Sequence, residues 1–240
     1  MASTSPRAQY DRFGAAYHAK RRSRAGGFYN DFLDLPALTA LLKEDVRGRD
    51  VLDLGCGAGL FTRRLAGWGA RAVGLDQSRT MLELARRENP GLTFVQGSAA
   101  RLPFRARRFD VAASALMAHY LRDLRPLFRE TARVLRPGGL WVFSFHHPLG
   151  ELLKVDRPRR RASLGPYFHG RAYEWSMGPM RLRSFHHTFE AVFEALGAAG
   201  FVVERLLEPR PPTQARRVDP SSYAATRDFP AFCALRARLR

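Results

Sequence analysis

The sequence predicts an α/β fold built on a mostly parallel sheet, and three observations carry that expectation. Val51-Leu52-Asp53-Leu54 is a short apolar run that meets glycines at alternate positions, Gly55, Gly57 and Gly59. An apolar run that enters glycines reads as a buried strand ending in a tight turn. Leu60-Phe61-Thr62-Arg63-Arg64-Leu65-Ala66 then restarts with helical spacing. Beyond it, apolar runs alternate with amphipathic segments as far as about residue 145, the pattern of βαβ units and a parallel sheet.

The elements follow in order. Residues 1–10 are expected to be loose, and Met1 to Arg7 lacks the apolar core of a secretory signal. Tyr10, Phe13 and Tyr17 then fall on one helical face. The basic, glycine-containing run from Lys20 to Gly27 breaks that segment, and a second helix is predicted from Tyr29 to Asp45, with Leu38, Leu41 and Leu42 inward. Residues 1–48 thus form a helical cover ahead of the first strand. Ala70 to Leu75 reads as the second strand, ending at Asp76. Ser78 caps the next helix, whose buried face holds Met81, Leu82, Leu84 and Ala85. Leu92 to Gln96 and Phe109 to Ala113 are strands three and four. A helix over Asp123 to Leu135 is closed by the turn Arg136-Pro137-Gly138-Gly139, before strand five at Leu140 to Phe145.

From His146 to His187 no clean period remains. Tyr167, Phe168, Tyr173, Trp175, Met177 and Met180 lie there among prolines and glycines. A long irregular stretch inside a compact domain reads as a functional lid, and its aromatics argue against disorder. Phe189 to Ala199 is a helix and Phe201 to Leu207 a strand. Glu208 to Pro230 reads as Pro-rich loop, and Phe232 to Leu239 as a last strand, antiparallel to the rest. The whole is a single Rossmann-like domain over residues 1–240. It has a seven-stranded, mostly parallel sheet with one antiparallel strand, helices on both faces, and an aromatic lid insertion (146–187) after strand five.

Composition narrows the function. With 45% hydrophobic residues the 240-residue chain is globular, and no apolar run is long enough for a membrane span. Cys56 and Cys233 are too few for a disulfide framework or a zinc cluster, so a cytoplasmic protein with no metal is expected. The net charge of +18 suits a nucleic-acid binder. The arginines are nonetheless spread along the chain, densest at Arg157, Arg159, Arg160 and Arg161. Lysines occur only at Lys20, Lys43 and Lys154. Dispersed charge of this kind marks solvated faces.

The glycine turn selects the cofactor. A dinucleotide fingerprint needs glycine at its sixth position, where Leu60 stands, and no Gly-Lys-Ser/Thr of a phosphate loop follows. The chain instead resembles the class I S-adenosylmethionine (SAM) methyltransferases. Their acidic-glycine motif appears as Asp53-Leu54-Gly55-Cys56-Gly57-Ala58-Gly59, and their second-strand acid as Asp76, 21 residues after Gly55. The third and fourth motifs appear as Phe94 to Phe104 and Phe109 to Tyr120, and the Arg136-Pro137-Gly138-Gly139 turn is also typical. The resemblance is nearest to the small-molecule branch that includes the ubiquinone and menaquinone methyltransferases. It implies SAM as cofactor, with Tyr17, Asp53, Gly55, Cys56, Gly57, Asp76, Gln77, Ser98, Ala99 and Ala115 around it. Asp53 would orient the SAM ammonium and Asp76 would accept both ribose hydroxyls. Gln77 would lie beside the adenosine, and Ser98 and Ala99 would meet the adenine.

The acceptor is less constrained. Methyl transfer from an activated sulfonium needs alignment above all, and a base only when the acceptor must lose a proton. His119, His146, His147, His186 and His187 stand near predicted strand ends, and His119 and His147 are the catalytic candidates. The lid aromatics suit a small, flat, apolar or aromatic methyl acceptor. The competing readings are a tRNA or other nucleic-acid methyltransferase, supported by the charge, and a non-catalytic SAM-binding regulatory protein. Against the first, Ser114-Ala115-Leu116-Met117 lacks the Asn/Asp-Pro-Pro-Tyr pattern used on exocyclic base amines.

Overall fold

A computed structural model describes residues 5–23, 26–156, 161–170, 172–177 and 179–240. Of the densest arginine group, Arg157, Arg159 and Arg160 lie outside the described residues. The strands are β1 (Asp50–Leu54), β2 (Arg71–Asp76), β3 (Thr93–Gln96), β4 (Phe109–Ser114), β5 (Leu135–His146), β6 (Leu153–Asp156), β7 (Arg161–Leu164), β8 (Ala172–Met177), β9 (Met180–Phe185), β10 (Phe201–Leu207) and β11 (Phe232–Leu239). The helices are α1 (Pro6–Arg22), α2 (Leu35–Leu42), α3 (Leu60–Gly67), α4 (Arg79–Glu88), α5 (Arg125–Val134), α6 (Phe189–Ala198) and α7 (Pro220–Thr226).

Among the described residues, seven strands form one sheet in the order β10-β11-β5-β4-β1-β2-β3. Strands β1 to β5 pair in parallel, and β11 runs antiparallel between β5 and β10. Side chains alternate across it, as strand geometry requires. Leu52, Leu54, Trp141, Phe143, Phe128 and Leu235 pack in one layer. Val51, Leu140 and Val142 point the other way, onto Leu38, Leu41, Phe61 and Leu65. Burial on both faces explains why β1 and β4 read as continuous apolar runs.

The arginines have structural work at the sheet's amino end. Asp50 pairs with Arg71 at 2.8 Å and Arg108 at 3.0 Å, and Arg136 reaches Asp110 at 2.5 Å. The bond from Arg71, offset in part by burial and helped by the other cations, holds the Asp50 carboxyl down at about 2. Arg236 ties Asp45 and Glu204 together across elements.

Five expectations change in detail. The residues from Pro6 onward are helical rather than loose, because Ser5 caps α1 and Pro6 suits its first turn. The second helix is interrupted by a π turn at Asn30–Asp34, where the Leu35 N–H reaches Asn30 C=O. Pro36 follows, with no N–H to continue a regular ladder. Arg136-Pro137-Gly138-Gly139 is a bulge inside β5, the register jumping from Phe109↔Leu135 to Val111↔Leu140. The Pro-rich segment after β10 contains a 3-10 turn at Thr213–Arg217 and α7, capped by the Asp219 carboxylate on the Ser222 N–H at 2.9 Å. The irregular stretch after β5 holds two antiparallel hairpins, β6–β7 and β8–β9. No helix among the described residues is long and apolar enough to cross a membrane.

Candidate active site

The glycine turn is fixed by hydrogen bonds and by crowding. The Gly55 and Cys56 N–H groups both donate to Leu75 C=O, at 2.8 and 3.0 Å, which pins the turn to β2. Gly55 sits at φ +72°, and a Cβ there would stand 2.6 Å from Met117 Cγ, so both backbone and space demand glycine. The Gly57 N–H donates to Asp76 Oδ2 at 2.9 Å and the Ser78 N–H to Oδ1 at 2.8 Å. Burial raises the Asp76 carboxyl, with these N–H bonds pulling the other way.

Asp53 is the more exceptional acid. It is buried, its Oδ2 accepts from Thr62 Oγ1 at 2.6 Å, and its Oδ1 has no partner among the described residues. Burial pushes its carboxyl up to about 7, against the Thr62 bond. An orphaned buried oxygen of this kind is a seat for a cation or a donor from a ligand.

One cavity of about 1510 Å³ opens above the carboxyl ends of the strands. Pockets for one small molecule run about 300–1,000 Å³, so this one has room for two. At its glycine end it is lined by Tyr17, Asp53, Gly55, Cys56, Gly57 and Asp76, with Gln77, Ala99 and Ala115. Ser98 does not line it, since its hydroxyl accepts from the Ala100 N–H at 3.2 Å. Helix α1 roofs this end. It is held on α4 by Ser78 Oγ donating to Asp11 at 2.7 Å and by His18 Nε2 with Glu88 at 2.8 Å. Between them Gly14 lets Met81 come close, a Cβ there standing 2.7 Å from its sulfur.

The far end of the cavity is aromatic. Tyr10 and Tyr120 share a hydrogen bond at 3.0 Å, and Tyr120 stacks toward Trp175 at 6.5 Å. Tyr173, Trp175 and Met177, at alternate positions of β8, line the wall. His119 is buried, lines the cavity, and has no hydrogen-bond partner on either ring nitrogen among the described residues. Burial, with His146 and His187 adding to it, drives its imidazole well below the usual range, so it is neutral. His146 stacks on it at 3.7 Å.

Not every expected residue converges here. His147 does not line the cavity. Its Nε2 is 2.7 Å from Glu208 Oε1, its Nδ1 accepts from the Leu149 N–H at 3.2 Å, and it is 1% exposed. The chain stays extended for one residue beyond β5, the His147 N–H donating to Ala231 C=O at 2.9 Å, so His146 and His147 point to opposite sides. His187 is spent on Leu121 C=O at 2.8 Å. Phe168 is 83% exposed, and the Tyr167 hydroxyl accepts from the Phe189 N–H at 3.3 Å, so only Tyr173 and Trp175 of the four lid aromatics face the cavity.

Three further residues were not singled out by sequence reasoning. Asp34 lines the cavity with both carboxylate oxygens buried and lacking a hydrogen bond of good geometry. Burial holds its carboxyl up at about 7, with the Ser144 hydroxyl and Arg21 offsetting part of that. An acid inside an otherwise apolar helical face was the available signal. Glu151 also lines the cavity, as does Leu116, at φ +51° with its N–H on Ser144 Oγ at 3.0 Å. A leucine held there costs about 1–3 kcal/mol, a strain typical of functional sites.

Known proteins resemble this chain in sequence and fold. Residues 52–143 match the family model described as a methyltransferase domain. The crystal structure of an S-adenosylmethionine-dependent methyltransferase from Mesorhizobium loti is 33% identical, with a TM-score of 0.76, over 85% of this chain and 97% of that one. A fatty-acid O-methyltransferase of Mycolicibacterium smegmatis is 35% identical over 124 residues, 50% of this chain and 45% of that protein. The malonyl-[acyl-carrier protein] O-methyltransferase of Serratia marcescens is 34% identical over 97 residues, 40% of this chain and 38% of that protein. The chain thus spans less than half the length of these curated relatives.

Proposed function

The chain belongs to the S-adenosylmethionine-dependent methyltransferases, and from that premise we propose that it methylates a small, flat, largely apolar acceptor. The observation that carries this is the two-ended cavity, with acids and a glycine turn at one end and aromatic rings at the other. The residues fit SAM at the first end. The open Asp53 Oδ1 would take the ammonium, and the backbone around Gly55 and Gly57 would lie against the methionine portion. Asp76 would accept from the ribose hydroxyls, and Gln77 and Ala99 would border the adenosine. Tyr17 and Tyr10 would close over the site from α1. When bound, SAM supplies an activated methyl group on a cationic sulfur.

The hairpins after β5 act as the acceptor lid, and residues before β1 as the cofactor's roof. In-line attack needs the acceptor held against the methyl, which is what Trp175, Tyr120 and Met117 do by shape. The two relatives named, a fatty-acid O-methyltransferase and a malonyl-[acyl-carrier protein] O-methyltransferase, support transfer to oxygen rather than to a nucleic-acid base. The proposed compartment is the cytoplasm, supported by two unpaired, buried cysteines.

The test is transfer of labelled methyl from SAM to a cell extract fractionated into small molecules, RNA and protein. Label in the small-molecule fraction is expected. Label in RNA alone overturns the acceptor class, and no label with intact SAM binding favours a regulatory SAM-binding protein.

A further inference from the structure

Resting on the methyl-transfer reading, we propose that the acceptor presents a hydroxyl and that His146 Nε2 takes its proton, held in the right tautomer by Tyr173, Glu151 and His186. The argument starts from a carbonyl. Tyr167 C=O only accepts, so His186 Nε2, at 2.7 Å, carries a hydrogen. His186 Nδ1 then meets the Glu151 carboxyl in a short contact. Either the carboxyl donates to the bare nitrogen or the imidazolium donates to the carboxylate. In both arrangements one proton is committed between them and the pair is neutral overall.

Glu151 therefore has only acceptor capacity left for Tyr173. The Tyr173 hydroxyl lies beside both Glu151 and Ser184, and its one hydrogen is assigned to the Glu151 carboxyl. Its oxygen must then accept from His146 Nδ1, 2.7 Å away. That places the hydrogen of His146 on Nδ1 and a lone pair on Nε2. Nε2 makes no hydrogen bond among the described residues, and His146 lines the cavity.

The ring is also clamped. His119 stacks on one face at 3.7 Å and 12°, and Phe232 lies nearly parallel at 5.7 Å and 16°. Trp175 stands against it at 5.8 Å and 61°. Burial holds the imidazole down at about 4, so it is unprotonated at neutral pH. His119, with both nitrogens buried and unpartnered, marks the same lobe as one that lacks a polar group from outside the protein. His146 is the catalytic residue here, and Tyr173, Glu151 and His186 are positioning residues, in the manner of a base oriented by a third group. In the transfer, the acceptor oxygen bonds the methyl as the methyl–sulfur bond breaks. The electron pair stays on sulfur, the sulfonium becomes a neutral thioether, and the hydroxyl proton goes to Nε2.

The test uses the full chain labelled with 15N-histidine, with 1-naphthol as probe and 1-methoxynaphthalene as its hydroxyl-free control. At pH 7 His146 is expected as the neutral Nδ1–H tautomer, and Tyr173→Phe, which keeps the ring, is expected to shift it toward Nε2–H. Naphthol should move the Nε2 resonance and bind about tenfold more tightly than its methyl ether, a preference that His146→Phe, which has no acceptor, abolishes. An Nε2–H tautomer in the unsubstituted chain, equal binding of the two probes, or no naphthol-dependent shift at His146 overturns the proposal. Calorimetric SAM binding on the same samples separates the two readings. Intact SAM binding with those negative results sinks this proposal alone, whereas no SAM binding to the unsubstituted chain sinks the reading beneath it.

Discussion

The two ends of the cavity are built by opposite means. At the glycine end the backbone does the building, within one βαβ unit. Gly55, Gly57, Asp53 and Asp76 lie on adjacent parallel strands and the turn between them, and their hydrogen bonds are mostly to peptide groups. At the histidine end, side chains from β5, the 3-10 turn at Ala118–Tyr120, the hairpins and β11 meet without any contiguous motif. The first end suits a constant ligand and the second a variable one. Backbone cradles tolerate little change, whereas rings on a hairpin can be exchanged without disturbing the sheet.

The largest expected effect tests the backbone end. Asp76→Ala should weaken SAM by more than the ~1–3 kcal/mol of one lost hydrogen bond to a charged group, since two ribose hydroxyls lose their acceptor. Naphthol binding in the far lobe should be nearly unchanged. Calorimetry reads both, and unchanged SAM affinity would break the division between the two ends. Gly55→Ala comes next. The left-handed backbone alone costs an L-residue roughly 1–2 kcal/mol, and the new Cβ would collide with Met117. A fall in Tm of about 2–4 °C per kcal/mol is expected, with weaker SAM binding.

A pH series sharpens the comparison. The folded Asp53 carboxyl stands at about 7, above its ordinary 3.8, so its neutral form is the one that folding favours. That contribution to stability is full below about pH 4 and is lost as pH rises through about 7. Asp34 adds in the same direction. The SAM ammonium prefers the carboxylate, so SAM affinity should rise with pH through about 7, with proton release below it. Asp53→Asn should flatten that dependence, and buffers of different ionisation enthalpy would measure the proton. An identical pH profile in the variant would refute the ammonium assignment.

The smallest effect belongs to His147, on the other side of β5 from the cavity. His147→Ala should cost about 1 kcal/mol through the lost Glu208 bond, seen as a Tm lower by a few degrees. SAM affinity and the His146 tautomer should stay as they are. A large loss of SAM binding would return His147 to the active site.

How much of this was legible follows the same division. Strands β1, β2 and β4 announce themselves as short apolar runs, β11 by the alternation of apolar residues with Arg236 and Arg238, and the turn because positive φ demands glycine. The α4 cap at Ser78, with its Met81 N–H bond, was equally readable from local chemistry. The hairpins were not, although β8 alternates Tyr173, Trp175 and Met177 with the exposed Glu174 and Ser176, because each strand is short and set among glycines and prolines. The choice between His146 and His147 was hidden as well. Adjacent histidines look alike in sequence, and only the strand's pleat turns one inward.

The glycine turn thus stands first and last in this protein. By itself, the order Asp53, Gly55, Gly57, Gly59 and Asp76 determined the sheet, the turn and the class of cofactor, because each acts through its own backbone or its neighbour's. Only the tertiary structure decided that Asp53 keeps an oxygen open, that Asp34 and Glu151 reach the cavity, and that His146 rather than His147 lines it. Those outcomes depend on burial and on contacts between residues far apart in the chain, and no local pattern encodes which distant side chain will arrive.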